Sequence, residues 1–169
     1  MTTLYHGSYT GIEHPIATLG RKNLDFGQGF YLTSLKQQAE QWAQLVTERK
    51  TRNGFPLLNI YTFDDELARQ MCFRWVKFNS YDIDWLNFVV ACRMGQELWK
   101  EFDIVEGGVA NDQVIDTVED YMMGIITDQQ ALGQLRYKNV NHQLCIINQK
   151  VIDSCLKFVV TREVKPNEK

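Results

Sequence analysis

The run Asp25-Phe26-Gly27-Gln28-Gly29-Phe30-Tyr31-Leu32-Thr33 sets two glycines around one glutamine and follows them at once with an aromatic, strand-like segment. Glycine has no Cβ, so its φ can turn positive and its amide can lie close to another backbone or to a ligand. Two readings follow from that. A Gly-x-Gly pair ahead of a strand makes an ordinary hairpin or bulge, and it also makes a turn that cradles a nucleotide. On the N-terminal side stands Leu4-Tyr5-His6-Gly7-Ser8, an apolar-to-polar run ending in histidine, glycine and serine. On the C-terminal side, Ala39-Glu40-Gln41-Trp42-Ala43 puts an aromatic on a predicted helix, and Asn141-His142-Gln143-Leu144-Cys145-Ile146-Ile147 has strand character far downstream.

In that order the segments resemble the ADP-ribosyltransferase superfamily, in the histidine-tyrosine-glutamate branch that includes poly-ADP-ribose polymerases and diphtheria-type toxins. The resemblance implies an α+β fold, with two small antiparallel sheets facing each other around an NAD cleft and helices around them. It implies that His6-Gly7 on the first strand and Phe26 to Tyr31 entering the next form the nicotinamide half of an NAD site. In that site the Gly7 backbone pairs with the carboxamide, and His6 bonds an adenosine-side ribose hydroxyl. Tyr31 and Trp42, the latter in the position of a second family aromatic, sandwich the nicotinamide ring. Gly27, Gly29, Ser8 and Ser34 join as further cofactor contacts, while Ala39 stands where the polymerases use a serine. The last motif carries Gln143 where glutamate is expected, so the triad reads His6, Tyr31, Gln143. The whole chain, including Phe102 to Asp112, is also similar to a bacterial domain-of-unknown-function family placed within that superfamily, which brings no established reaction.

Breaking the nicotinamide-ribose bond develops oxocarbenium-like positive charge on the sugar. A glutamate would accept from the ribose 2′-hydroxyl and offset that charge, whereas glutamine keeps only neutral hydrogen bonding, a loss of about 10²–10³ in rate. Asp25, Asp103, Glu106 and Asp112 are the carboxylates that would supply the missing function. Asp112 comes first, because Gly107-Gly108-Val109-Ala110-Asn111-Asp112 reads as a strand leaving a glycine turn for a helix. Asn111 and Asp112 are also the acceptor-side candidates, and a plain Asx cap on the helix explains them as well. His142 does not stand in for Gln143, since neighbours on a strand point to opposite faces. Packing offers its own account of His6, of Tyr31 as a half-buried strand aromatic and of Trp42 as a core residue.

The expected activity is NAD-dependent mono-ADP-ribosyl transfer to an unknown acceptor, without a metal. A toxin or effector role with a neutralising protein partner follows from the resemblance alone. The alternative is a non-catalytic NAD- or ADP-ribose-binding or protein-interaction domain with a degenerate site.

At 169 residues the chain reads as one domain, long enough to bury about 70% of its unfolded surface. Its 44% hydrophobic and 23% charged content fits a globular protein, and no apolar run approaches the roughly 20 residues of a membrane span. The start, Met1-Thr2-Thr3, shows no signal pattern, so the cytoplasm is the expected compartment. A net charge of −3 leaves nucleic acid without an electrostatic footprint. The one basic cluster, Glu48 to Gly54, reads as a helix end closed by glycine. Cys72, Cys92, Cys145 and Cys155 form no Cys-x-x-Cys pair and read as buried thiols.

Strand-like runs fall at Thr3–Tyr5, Phe30–Thr33, Leu57–Phe63, Phe73–Phe78, Ile104–Val109, Gln143–Ile147 and Phe158–Val164. The apolar spacing of Leu35, Ala39, Trp42, Ala43 and Val46 predicts a helix with those residues on one face. Further helices are expected over Asp84–Trp99 and Asp112–Ile125, and residues 165–169 read as a flexible tail.

Overall fold

A computed structural model describes residues 1–51, 53–111 and 114–165. In chain order the elements are β1 (Thr2–Ser8), β2 (Phe30–Leu32), α1 (Lys36–Lys50), β3 (Leu57–Phe63), α2 (Asp65–Gln70), β4 (Trp75–Lys77), α3 (Ile83–Arg93), β5 (Ile104–Gly107), α4 (Ile115–Met122), α5 (Asp128–Leu135), β6 (Gln143–Ile146), α6 (Gln149–Cys155) and β7 (Leu156–Glu163). The architecture is mixed α+β. One sheet has the order β1-β3-β7 and is antiparallel throughout; the other has the order β2-β6-β5-β4. That second sheet departs from the all-antiparallel expectation, because β4 runs parallel to β5. The connection between them carries α3, the crossover length that a parallel pair requires.

Strand alternation sorts the apolar residues into layers. Leu4, Phe30, Leu32, Tyr61, Phe63, Leu144 and Ile146 form one core, closed by Val151 and Cys155 of α6. On the other face of the second sheet, Val105 and Cys145 pack under Trp85, Val89, Val118 and Leu135 of the α3–α5 layer. Both faces of β6 are therefore buried, which is why Leu144-Cys145-Ile146 is a continuous apolar run. Over the first sheet, α1 packs Ala39 and Ala43 against Leu58 and Val164. A Cβ on Gly7 of β1 would lie 2.0 Å from the Ala39 carbonyl oxygen and 2.7 Å from the Ala43 nitrogen, so this glycine lets helix and strand backbones touch.

Several expectations shift. The buried stripe of α1 is Ala39, Ala43 and Thr47, while Trp42 is 43% and Leu35 44% exposed. The stripe is narrow because the helix sits directly on the strand at Gly7 and leaves room only for small residues. The helix ends at a Thr51 cap in extended conformation, so Gly54 does not close it. The second predicted helix stops at Arg93, where Gln96 N–H donates to the Ala91 carbonyl and Gly95 N–H to that of Cys92, a Schellman ending. The third begins at Ile115 with Val114 as its cap; the Asn111 carbonyl accepts from the amides of both Val114 and Ile115. Cys72 is exposed, whereas Cys92, Cys145 and Cys155 are buried. At the C-terminal end β7 pairs through Glu163 with Leu57. Val164 is 6% exposed and donates to the Pro56 carbonyl, which anchors the chain up to the expected tail.

Candidate functional site

The two sheets meet where β1 passes β2. Tyr5 and Thr33 exchange both backbone hydrogen bonds, at 2.8 and 3.0 Å. Continuing that antiparallel register would set Gly7 opposite Tyr31. The ladder instead breaks there: the His6 imidazole Nδ1 donates to the Tyr31 carbonyl at 2.7 Å, taking the acceptor that a Gly7 amide would have used. Residues two apart on a strand direct their N–H and C=O to the same edge. Gly7, two residues after Tyr5, therefore aims its amide and carbonyl into the split between the sheets.

His6 holds the split from one face. Its ring stacks on Phe30 with centroids 4.6 Å apart. Burial pushes its pKa below the ordinary 6.5, with the bond to the Tyr31 carbonyl acting in the opposite direction. A carbonyl only accepts, so the neutral ring carries its proton on Nδ1 and keeps the Nε2 lone pair as an acceptor.

Tyr31 points to the other face, toward the helical layer. Its hydroxyl donates to the Gly27 carbonyl at 2.5 Å and accepts from the Phe26 amide at 3.2 Å. Burial first, then the neighbouring Cys145 and Asp25, raise its pKa well above 10, so the phenol stays protonated. The hydroxyl thus fastens the glycine turn. Gly27 has φ +75°, and a Cβ there would strike the Trp99 ring at 2.1 Å; a Cβ on Gly29 would meet the Cys145 Sγ at 2.5 Å. Both glycines answer to packing requirements of this turn, whatever else the turn contacts.

Gln143 opens β6 opposite Gly107 and lies two residues before Cys145, the residue paired with Tyr31. Alternation puts Gln143 on the Tyr31 face, and its buried Nε2 has no hydrogen-bond partner among the described residues. The structure therefore joins His6 to Tyr31 through the main chain and sets Gln143 on the same face as the tyrosine ring. Gly7 lies against α1 at Ala43, the residue after Trp42; no ring contact between Trp42 and Tyr31 is found among the described residues. The Ser8 hydroxyl accepts from the Thr10 amide, and the Ser34 amide donates to His142 Nδ1. Asn111 leads into α4, and Asp112 lies outside the described residues.

The other candidate carboxylates are engaged. Asp25 takes Arg93 at 2.7 Å and the Ala110 amide at 3.0 Å. Asp103 holds Arg74 and Asn148. Glu106 binds Lys77 at 2.9 Å and His142 Nε2 at 3.1 Å. Because His142 Nδ1 accepts from Ser34, its proton sits on Nε2 and points at Glu106, so both ring nitrogens are occupied. Burial alone would raise the Asp103 and Glu106 carboxyls; hydrogen bonds and cations hold both below their ordinary 3.8 and 4.5. Sequence reasoning missed the Lys77–Glu106–His142 group, whose members meet only through the β4–β5–β6 register, and it missed Gln38, whose Nε2 donates to the His142 carbonyl at 2.8 Å.

These shifts set the pH response. The unfolded chain binds a proton at a His6 site more readily than the fold does, so the His6 contribution is complete above about pH 6.5 and is lost as pH falls below it. Asp103 and Glu106 have the same sign, with their contributions lost as pH falls through folded values below 3.8 and 4.5. The urea midpoint is expected to be level above pH 7, to decline from about pH 6.5 and to fall again below about pH 4. His6→Asn removes the first decline alone; a wild-type midpoint unchanged between pH 7 and 5 would contradict the neutral, half-buried imidazole.

A cavity of about 500 Å³ opens elsewhere, between Tyr81 at the entry to α3 and Leu135 of α5, and none of the candidates among the described residues lines it. Among the described residues no cluster of three or more His, Cys, Asp or Glu side chains forms a metal site, and no helix is long and apolar enough to cross a membrane.

Fold and site together define an α+β protein whose two sheets part around a polar seam at β1, β2 and β6. The chain belongs to the family described as Protein of unknown function (DUF3990), whose model matches residues 2–158. No curated protein and no solved structure matches it.

Proposed function

We propose that this protein is an NAD-dependent mono-ADP-ribosyltransferase with an ADP-ribosyltransferase-like fold, its nicotinamide half-site lying at the split between the sheets. The observation that carries this reading is the broken ladder at Gly7 and Tyr31. It leaves a backbone donor and acceptor side by side on an open edge, the pattern a carboxamide matches with its own C=O and NH₂. The donor set around that edge fits the rest of the group: His6 Nε2 is an acceptor for a ribose hydroxyl, Gln143 Nε2 is a buried donor, and Trp42 stands beside the edge on α1. In the reaction the C–N bond between nicotinamide and ribose breaks with its electrons leaving on nicotinamide. The acceptor nucleophile bonds to the anomeric carbon and gives its proton to solvent. This chain's residues orient the leaving group and shield it from water.

A second reading, a domain that binds NAD or ADP-ribose without turnover, is favoured by the neutrality of Gln143 together with the engagement of Asp25, Asp103 and Glu106 in ion pairs. Calorimetric titration with NAD, with released nicotinamide followed in the same samples, separates the two. Wild-type protein is expected to bind NAD and release nicotinamide, and Tyr31→Ala and Trp42→Ala to weaken binding about tenfold each or more. Binding without release supports the second reading. No binding at millimolar NAD by the folded protein would defeat both.

A further inference from the structure

Two buried side-chain atoms beside the seam find no partner among the described residues, and they have opposite character. Gln143 Nε2 is a donor and Gln38 Oε1 an acceptor, and neither finds a hydrogen bond among the described residues. Their side chains belong to one locality. Gln38 lies in the first turn of α1 and donates its own Nε2 to the carbonyl of His142, the residue immediately before Gln143. That bond also settles which end of the Gln38 amide is free: a carbonyl only accepts, so Nε2 must face His142 and Oε1 must face away from it. An unsatisfied buried polar group is destabilising, and native structures seldom retain one without a reason.

The pair is selective about what would satisfy it. The matching group must accept from Gln143 and donate to Gln38. Phosphate and carboxylate oxygens only accept and an ammonium only donates, whereas a sugar hydroxyl does both through a single atom. We propose that Gln38 and Gln143 form a neutral clamp on the 2′-hydroxyl of the nicotinamide-side ribose, with Gln38 as a ligand-binding residue in its own right. The proposal rests on the NAD reading above. In the clamp Gln143 donates into the hydroxyl oxygen while Gln38 receives its proton, so the hydroxyl is oriented without a charged residue. This division of labour gives a glutamine at position 143 a partner that completes it.

The test is titration of NAD, and of an NAD analogue carrying fluorine in place of the 2′-hydroxyl of the nicotinamide ribose, into wild type, Gln38→Met and Gln38→Glu. Thermal unfolding of each variant is followed in parallel. Fluorine cannot donate to Gln38. Gln38→Met is expected to weaken NAD about tenfold while leaving the analogue unchanged. Gln38→Glu keeps an acceptor but loses the donor to His142, and is expected to hold NAD affinity within about threefold of wild type even where it lowers the unfolding temperature. Equal losses in the Met and Glu variants, or equal losses for NAD and the analogue, would mean that Gln38 only ties α1 to β6 and would overturn the clamp. NAD affinity unchanged in Gln38→Met would overturn it as well. Those results leave the NAD reading standing, whereas failure of wild type to bind NAD removes both.

Discussion

Gly7→Ala is expected to lower the stability of the fold by about 3 kcal/mol, the upper range for an overpacked core site. The added methyl would sit 2.0 Å from the Ala39 carbonyl oxygen and 2.7 Å from the Ala43 nitrogen. These are helix backbone atoms, which cannot swing aside as the end of a side chain does. Strand β1 is held by β3 along its whole length, so the helix is the partner that must move. Lifting α1 also disturbs the edge that carries Trp42 and the seam that carries Gln38. The loss of stability should therefore be accompanied by faster amide exchange along α1. Gly133 provides the opposite case. It lies inside α5 with none of the described residues within 4 Å of its Cβ position, so Gly133→Ala is expected to stabilise by about 0.5–1 kcal/mol through helix propensity. Urea unfolding of both variants checks the pair, and a neutral Gly7→Ala would show that α1 is not seated as described.

Asp25→Ala is expected to be comparably damaging, at about 3 kcal/mol. Asp25 is 7% exposed and gathers the Arg93 guanidinium, at 2.7 and 2.8 Å, and the Ala110 amide at 3.0 Å. It thereby ties the glycine turn, the end of α3 and the loop before α4 to one another. Removing it leaves a partly buried guanidinium and a buried N–H without partners, and that residue of unpaired groups dominates the loss. Arg93 keeps 23% of its side chain in solvent, which holds the figure at the lower end for a broken buried pair. The double variant Asp25→Ala, Arg93→Met, which removes the stranded charge, is expected to recover a substantial part of the stability in the same unfolding measurement. Recovery of none would assign the loss to the Ala110 amide.

What was legible in the sequence was local. Leu57–Phe63 was read to its exact bounds, because its alternation persists and Pro56 marks its start. The apolar pattern marks β1 only over Thr3–Tyr5, whereas the strand runs Thr2–Ser8, and Gly7 within it accommodates a helix remote from it in sequence. The end of α3 was hidden because Met94, Leu98 and Trp99 carry the apolar pattern past the Schellman turn. α2 and α6, of 6 and 7 residues, are too short to show a period. α5 had a visible signal that was passed over, the Thr127 and Gln130 capping box. In the site, His6, Tyr31 and Gln143 were picked out by motif, but their disposition on two faces depends on the β2–β6 register. The Lys77–Glu106–His142 group and the Gln38–His142 bond join residues 29 to 104 positions apart, and no local pattern carries such information.

The strand order has a kinetic consequence. β2 finds its partner in β6, Leu32 opposite Leu144, and β3 pairs with β7, Phe63 opposite Leu156, so each pairing closes a loop that spans more than half of the chain. Such closures carry an entropic cost before any contact offsets it, and chains dominated by them fold slowly. β6 lies between β2 and β5, so until it is synthesised neither neighbour has its central partner and the seam has no third side. During translation the protein is therefore an incomplete sheet with open strand edges for most of its synthesis, and the seam closes only after β6 emerges.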